Sequence, residues 1–274
     1  MSSILTNNSA MVALQTLKSI NSSLADTQKA ISTGKSISSA KDNSAVWAIS
    51  KVMESDVAGF KAISSSLALG QSTVAVATAG AEQITDLLNQ MKEKVVAATG
   101  ENVDHAKITA DVNELKNQIT SIIGAAQFNG ANLLNTAGGD ITVLSSLDRD
   151  AAGTVTASNI TVTSVDFEAN LNLTAIDVST SANADTSLAA METLIQTAVD
   201  GAAALGASQQ RISDQSDFVS KLTDAMKSGI GALVDADMEE ASARLQALQV
   251  QQQLGVQSLS IANQGAQSIL SLFR

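Results

Sequence analysis

Cysteine, proline and tyrosine are all absent from this 274-residue chain, histidine and tryptophan occur once each, and aromatics make up 2%. Without cysteine there is no disulfide frame and no thiolate metal site. Without proline, nothing removes a backbone donor from the interior of a long helix. A Ser-His-Asp set or a histidine metal site would rest on His105 alone, which has no partner motif. The expectation is therefore no enzyme, no catalytic residue, no metal and no cofactor. Asp148-Arg149-Asp150 lacks the spaced oxygen ligands of a calcium loop and reads as a solvated turn. The net charge of −11 argues against nucleic acid and anionic membrane as partners. There is no run suited to membrane insertion, and Met1–Ile20 lacks a basic segment followed by an apolar block, so no cleaved signal peptide is expected.

What the sequence does have is helical period. From Val46 to Val95 a seam runs Val46, Ile49, Met53, Asp56, Phe60, Ile63, Leu67, Gly70, Val74, Ala77, Ala81, Ile84, Leu88, Met91, Val95. Steps of three and four alternate without a slip, and only Asp56 and Gly70 interrupt the apolar line. At ~1.5 Å per residue such a helix spans ~75 Å. A compact domain of this length is about 40 Å across, so an elongated bundle is expected.

Shorter seams flank it. Ala10, Ala13, Leu17, Ile20, Leu24, Thr27 and Ile31 form one, with Gly34 placed to end the helix. Asp42 or Ser44 can cap the long helix, and Trp47 reads as a packing residue near its start. Beyond Thr99-Gly100 a third helix, from His105 through Val112 and Ile119 to Ala126, returns along the first and stops near Phe128-Asn129-Gly130. Residues 137–187 alternate Thr or Ser with Val, Ile or Leu, a strand pattern that includes 171–180, and hold seven acids against Arg149. Leu188 to Leu233 forms a second long seam, and Asp237 with Glu240 resembles a capping box for the last helix. The methionines are read as core filler.

The last helix carries two apolar lines. One includes Met238, Ala241, Leu245, Leu248, Leu259, Ile269 and Phe273; the other is Ala247, Val250, Leu254 and Ile261. Pairing with the first helix covers only one of them, so a second partner is required, and other copies of the protein fit that need. The fold class expected is mainly α: long antiparallel coiled-coil-like helices, paired terminal helices and a small central β segment.

Four blocks carry a family resemblance. Ile31-Ser32-Thr33-Gly34-Lys35 through Ser39-Ala40-Lys41-Asp42-Asn43, Gln127-Phe128-Asn129-Gly130, Val234-Asp235-Ala236-Asp237 and the end Ile269-Leu270-Ser271-Leu272-Phe273-Arg274 resemble bacterial flagellins, and the short middle and the Asn43–Trp47 stretch look most like the short flagellins of alphaproteobacteria. The resemblance implies a structural subunit that self-assembles into the extracellular flagellar filament. It implies an inner-tube domain from 1–33 and 235–274, a spoke at 34–47, a rod domain from 48–136 and 188–234, and a short variable β segment at 137–187. Inner-tube contacts would fall on Leu17, Ile20, Leu24, Ile31, Leu245, Leu248, Val250, Leu254, Leu259, Ile261, Ile269, Leu272 and Phe273. The spoke would use Gly34, Lys35, Ala40, Lys41, Asp42 and Asn43. Implied partners are other copies, the type III export apparatus and an export chaperone, and the filament cap and junction proteins. One departure is Gln90, which stands where flagellins seen by the vertebrate innate receptor carry Arg. The alternatives are a hook–filament junction protein and a non-flagellar coiled-coil signalling protein.

Overall fold

A computed structural model of the protein describes residues 7–150 and 152–272, with side chains described to Gln264. Six helices and two small hairpins follow in the order α1 Asn8–Thr33, α2 Ser44–Ala98, α3 His105–Ala125, β1 Gln127–Phe128, β2 Ala131–Asn132, β3 Ile141–Arg149, β4 Val155–Val162, α4 Phe167–Asn170, α5 Ser181–Val234 and α6 Met238–Leu272. Helices α2 and α5 run 55 and 54 residues without interruption, the freedom that the absence of proline allows. The protein divides into two compact units. One combines the residues up to Ser55 with those from Ala225 onward, and the other is Asp56–Asp224.

In the Asp56–Asp224 unit the core is the α2 seam: Phe60, Ile63, Leu67, Val74, Ala77, Ala81, Ile84, Leu88, Met91 and Val95 are all buried, as are Val112 and Ile119 of α3 and Met191, Ala198, Leu205, Ile212 and Val219 of α5. Ion pairs Lys92–Glu192 (2.6 Å) and Lys94–Asp111 (2.7 Å) tie α2 to α5 and to α3 at the rim. The two breaks in the α2 seam have one cause. Hairpin β3–β4 lies on this face: Arg149 Nε donates to Asp56 at 3.2 Å, and a Cβ added at Gly70 would fall 2.5 Å from Val143 Cγ2. The bulge between Leu144 and Ser146 leaves the Ser145 carbonyl to accept from Gln215 of α5. Arg149 is thus an anchor to α2, and the expected solvated turn is corrected.

The 137–187 region is less β-rich than its alternation predicts. GTVTAS and NITV form one strand, and 171–180 holds none. Asp166 at φ 45° caps the single turn of α4, a 3-10 turn follows at Leu173–Ala175, and the segment buries Phe167, Leu171, Ile176 and Val178. Lys116 and His105 of α3 bond the carbonyls of Ile176 and Val178 at 2.6 and 3.2 Å. Backbone groups here are satisfied by helix side chains instead of a strand partner, which alternation cannot reveal. The α5 helix begins at Ser181, seven residues before its seam. The third helix ends at Ala125, and Asn129 (φ 50°) and Gly130 (φ 85°) form the two-residue loop joining β1 to β2.

Two further expectations are corrected at the joint and among the methionines. Helix α2 is capped by Asn43, whose Oδ1 accepts from Val46 N at 3.2 Å, because Asp42 is engaged elsewhere. Met53, Met91, Met191 and Met226 are buried or half-buried, but Met11 and Met238 are exposed.

Candidate assembly surface

In the other unit, α1 and α6 pack antiparallel. Asn7 Oδ1 accepts from Ala10 N to cap α1, while its Nδ2 donates to the Ala262 carbonyl at 2.9 Å. Further along, Gln252 donates to Asn21 at 2.7 Å. At the far end Gly34, in the left-handed region at φ 70°, stops α1 and its carbonyl accepts from Ala236 N. Ser36 N donates to the Val234 carbonyl at 2.8 Å, so the stretch after α1 pairs with the stretch between α5 and α6. Asp237 Oδ1 accepts from the amides of Glu239 and Glu240 and caps α6.

This pairing sorts the predicted contact residues into two groups. Leu17, Ile20, Leu24 and Ile31 of α1 and Leu245, Leu248 and Leu259 of α6 lie on the faces the two helices turn to each other, buried or half-buried. Gly255 marks a close approach, since a Cβ there would lie 3.2 Å from Leu17 Cδ1. Val250, Leu254 and Ile261 point away and are 56, 58 and 67% exposed. The side chains of Ile269 and Leu272, and all of Phe273, lie outside the described residues. Met11, Val12 and Leu14 of α1 and Val256 of α6 are also exposed, and sequence reading did not select them. Their signal was available: Met11 and Leu14 stand three apart, off the main α1 seam. A groove of about 770 Å³ runs along the pair, with Val12, Ala13, Ile20, Leu254 and Gly255 in its wall.

The joint between α1 and α2 is held by charge. Asp42 accepts from the Ser38 and Ser39 amides at 3.0 and 2.9 Å and from Lys29 at 3.3 Å. Those backbone donors, Ser39 first, hold its carboxyl far below the ordinary range. Glu54 lies between Lys51 (2.6 Å) and Lys35 (3.2 Å), which lower its carboxyl as well. Lys35 therefore joins this node and Gly34 bonds Ala236, while Ala40 and Lys41 stay exposed and Asn43 serves as cap. Both carboxylates ionise more readily folded than unfolded, so they stabilise the joint above the ordinary carboxylate range. That contribution is lost as pH falls below about 4 through the lowered folded values. The amide protection of residues 34–43, measured against the unfolded exchange rate at the same pH, should fall at acid pH, and Asp42→Asn should flatten the response. Protection that stays constant from neutral pH to pH of about 2 would refute this.

Gln90 is exposed on α2, beside Asn89 and three residues before Glu93. Among the described residues, no three carboxylate or histidine side chains cluster as a metal site, and no helix is long and apolar enough to cross a membrane.

Comparison with known proteins bears on the same elements. Residues 4–138 match the family model described as the bacterial flagellin N-terminal helical region, and residues 188–273 match the bacterial flagellin C-terminal helical region. The sequence is 43% identical over 277 aligned positions to Flagellin FljM of Caulobacter vibrioides, covering all of this protein and 99% of that one. It is 43% identical over 282 positions to a flagellin of Brucella melitensis, with both proteins covered in full. Flagellin A of Rhizobium meliloti aligns at 33% identity over 394 positions, again across both in full. That alignment exceeds the present protein in length, so the relative carries insertions that this one does without. The segment between the two matched regions holds β3–β4 and α4.

Proposed function

The protein belongs to the bacterial flagellin family, and from that premise we propose which of its surfaces carry the work of the family. It is a structural subunit that self-assembles into the flagellar filament, a helical polymer outside the cell that serves swimming motility. Within that role we assign residues 1–33 and 235–274 to the inner tube, 34–47 to the spoke, 48–136 and 188–234 to the rod, and 137–187 to a short variable segment.

One observation carries the assignment of contacts. Helix α6 is apolar on two sides, and α1 covers only one of them. The uncovered line of Val250, Leu254 and Ile261, with Met11, Val12 and Leu14 of α1, is the surface that neighbouring copies bury. Leu254 and Val12 belong both to this apolar surface and to the wall of the groove, so the two are continuous, and a copy seated on them off any two-fold axis makes a head-to-tail contact. Repeated without closure, such a contact generates a helical polymer. Leu17, Ile20, Leu24, Ile31, Leu245, Leu248 and Leu259 support that surface from within by fixing the pair. Before assembly the same apolar line suits an export chaperone, and the type III export apparatus, the cap and the junction proteins are the remaining partners. Ultracentrifugation of the purified protein tests the reading: filaments should pellet and be visible by electron microscopy. A protein that stays monomeric under every polymerising condition would remove it.

Gln90 adds a second expectation. An amide cannot make the charged, multi-donor contact of a guanidinium. Purified monomer should activate the vertebrate innate flagellin receptor weakly or not at all, and Gln90→Arg should raise the signal. A strong wild-type response in a reporter cell line would refute it.

A further inference from the structure

The Gln127–Gly130 block closes the β1–β2 hairpin and takes no part in the assembly surface. Its two loop residues are exposed, with φ of 50° at Asn129 and 85° at Gly130. Among the described residues no hydrogen bond holds the Asn129 side chain. A Cβ added at Gly130 would meet nothing within 4 Å, so the space beside the Gly130 Cα is open. No other asparagine in the sequence is followed by glycine. Several are also restrained: Asn43 Oδ1 is engaged in its cap, and buried Asn132 uses both amide atoms, on Ile123 O at 2.7 Å and Leu134 N at 2.8 Å.

We propose that Asn129-Gly130 is a self-modifying site, at which the side-chain amide is converted without an enzyme to aspartate and isoaspartate. Hydroxide removes the Gly130 amide proton, and the nitrogen attacks Asn129 Cγ. The new bond from Gly130 N to Cγ closes a five-membered imide as the Cγ–Nδ2 bond breaks and ammonia leaves. Water then adds to one of the two imide carbonyls and opens the ring. Glycine at the second position is what makes this feasible, since it has no Cβ to crowd the attacking nitrogen. The products differ in consequence. Aspartate tolerates the left-handed conformation and keeps the two-residue loop, adding one negative charge. Isoaspartate lengthens the backbone by one carbon, which the loop pairing Phe128 with Ala131 cannot absorb. The strain passes through β2 to Asn132 and from there to the end of α3.

Peptide mapping of the folded, full-length protein held at neutral and mildly alkaline pH tests the proposal. Asn129 should lose its amide before any other asparagine, at a rate rising with hydroxide concentration, and isoaspartate should appear with the aspartate. Gly130→Ala should slow the conversion. Because alanine at that φ is itself strained, Asn129→Asp serves as the second variant: it should fold as the wild type does and accumulate isoaspartate at this position more slowly than the wild type, since water is a poorer leaving group from the carboxylate than ammonia from the amide. If Asn129 stays intact in the folded protein while converting in denaturant, or if another asparagine converts first, the proposal fails.

Discussion

Replacing Val250, Leu254 and Ile261 together with glutamine should yield a folded protein that no longer pellets as filaments. These three side chains are more than half exposed in the single subunit. Fully burying a Val, Leu or Ile side chain is worth about 1.5–3 kcal/mol, so covering the exposed part contributes roughly 1–2 kcal/mol each. Losing all three costs on the order of 3–6 kcal/mol per subunit added. Since each 1.4 kcal/mol is about tenfold, the critical concentration should rise by about two to four orders of magnitude. Glutamine retains helix propensity, so α6 itself should form, and the α1 contacts through Leu245, Leu248 and Leu259 stay in place. Sedimentation across a concentration series, with circular dichroism as a check on helix content, gives the answer. Filaments forming at the wild-type concentration would mean that these residues do not face a neighbour. The matching change at Leu17, Ile20 and Leu24 should instead loosen the α1–α6 pair, a different defect visible as faster amide exchange in both helices.

How far the sequence announces this arrangement differs between helices and connections. The α2 seam was legible from Phe60 to Val95, because alternating steps of three and four survive any choice of partner, whereas Ile49, assigned to the same seam, is 54% exposed. The second apolar line of α6 was legible for the same reason. Which line α1 takes was not, since periodicity gives faces and leaves pairing open. Asp56 and Gly70 stood out as interruptions, yet their cause lies more than 70 residues away in Arg149 and Val143. A single sequence does not disclose such non-local fits. The stretch 171–180 failed for another reason: it buries Leu171, Ile176 and Val178 while the carbonyls of Ile176 and Val178 are met by Lys116 and His105 of α3, with no strand beside it.

Phe167→Ala should be the most damaging single change in the Asp56–Asp224 unit, with a cost of about 3–5 kcal/mol. The ring has no exposed surface, and it fits against α5 only because residue 201 is glycine. A Cβ at that position would lie 2.6 Å from Phe167 Cε1 and closer still to Val165 Cγ1. Gly201→Ala alone therefore sets an overpacking cost of roughly 1–3 kcal/mol against a helix-propensity gain of about 1 kcal/mol. The balance is neutral to destabilising. In the Phe167→Ala background the ring is gone and Val165 alone remains close, with space beside it to move into, so the same substitution should become less costly. The two positions should couple by about 0.5–3 kcal/mol in a double-mutant cycle. Native-state amide exchange at Ile119, Leu133 and Met191, all fully buried, reads this unit directly. Trp47, the only tryptophan, belongs to the other unit, so its fluorescence reports the wrong transition. Equal effects of Gly201→Ala in both backgrounds would show that the ring and the glycine are independent, and that the short α4 turn is not what shapes this part of α5.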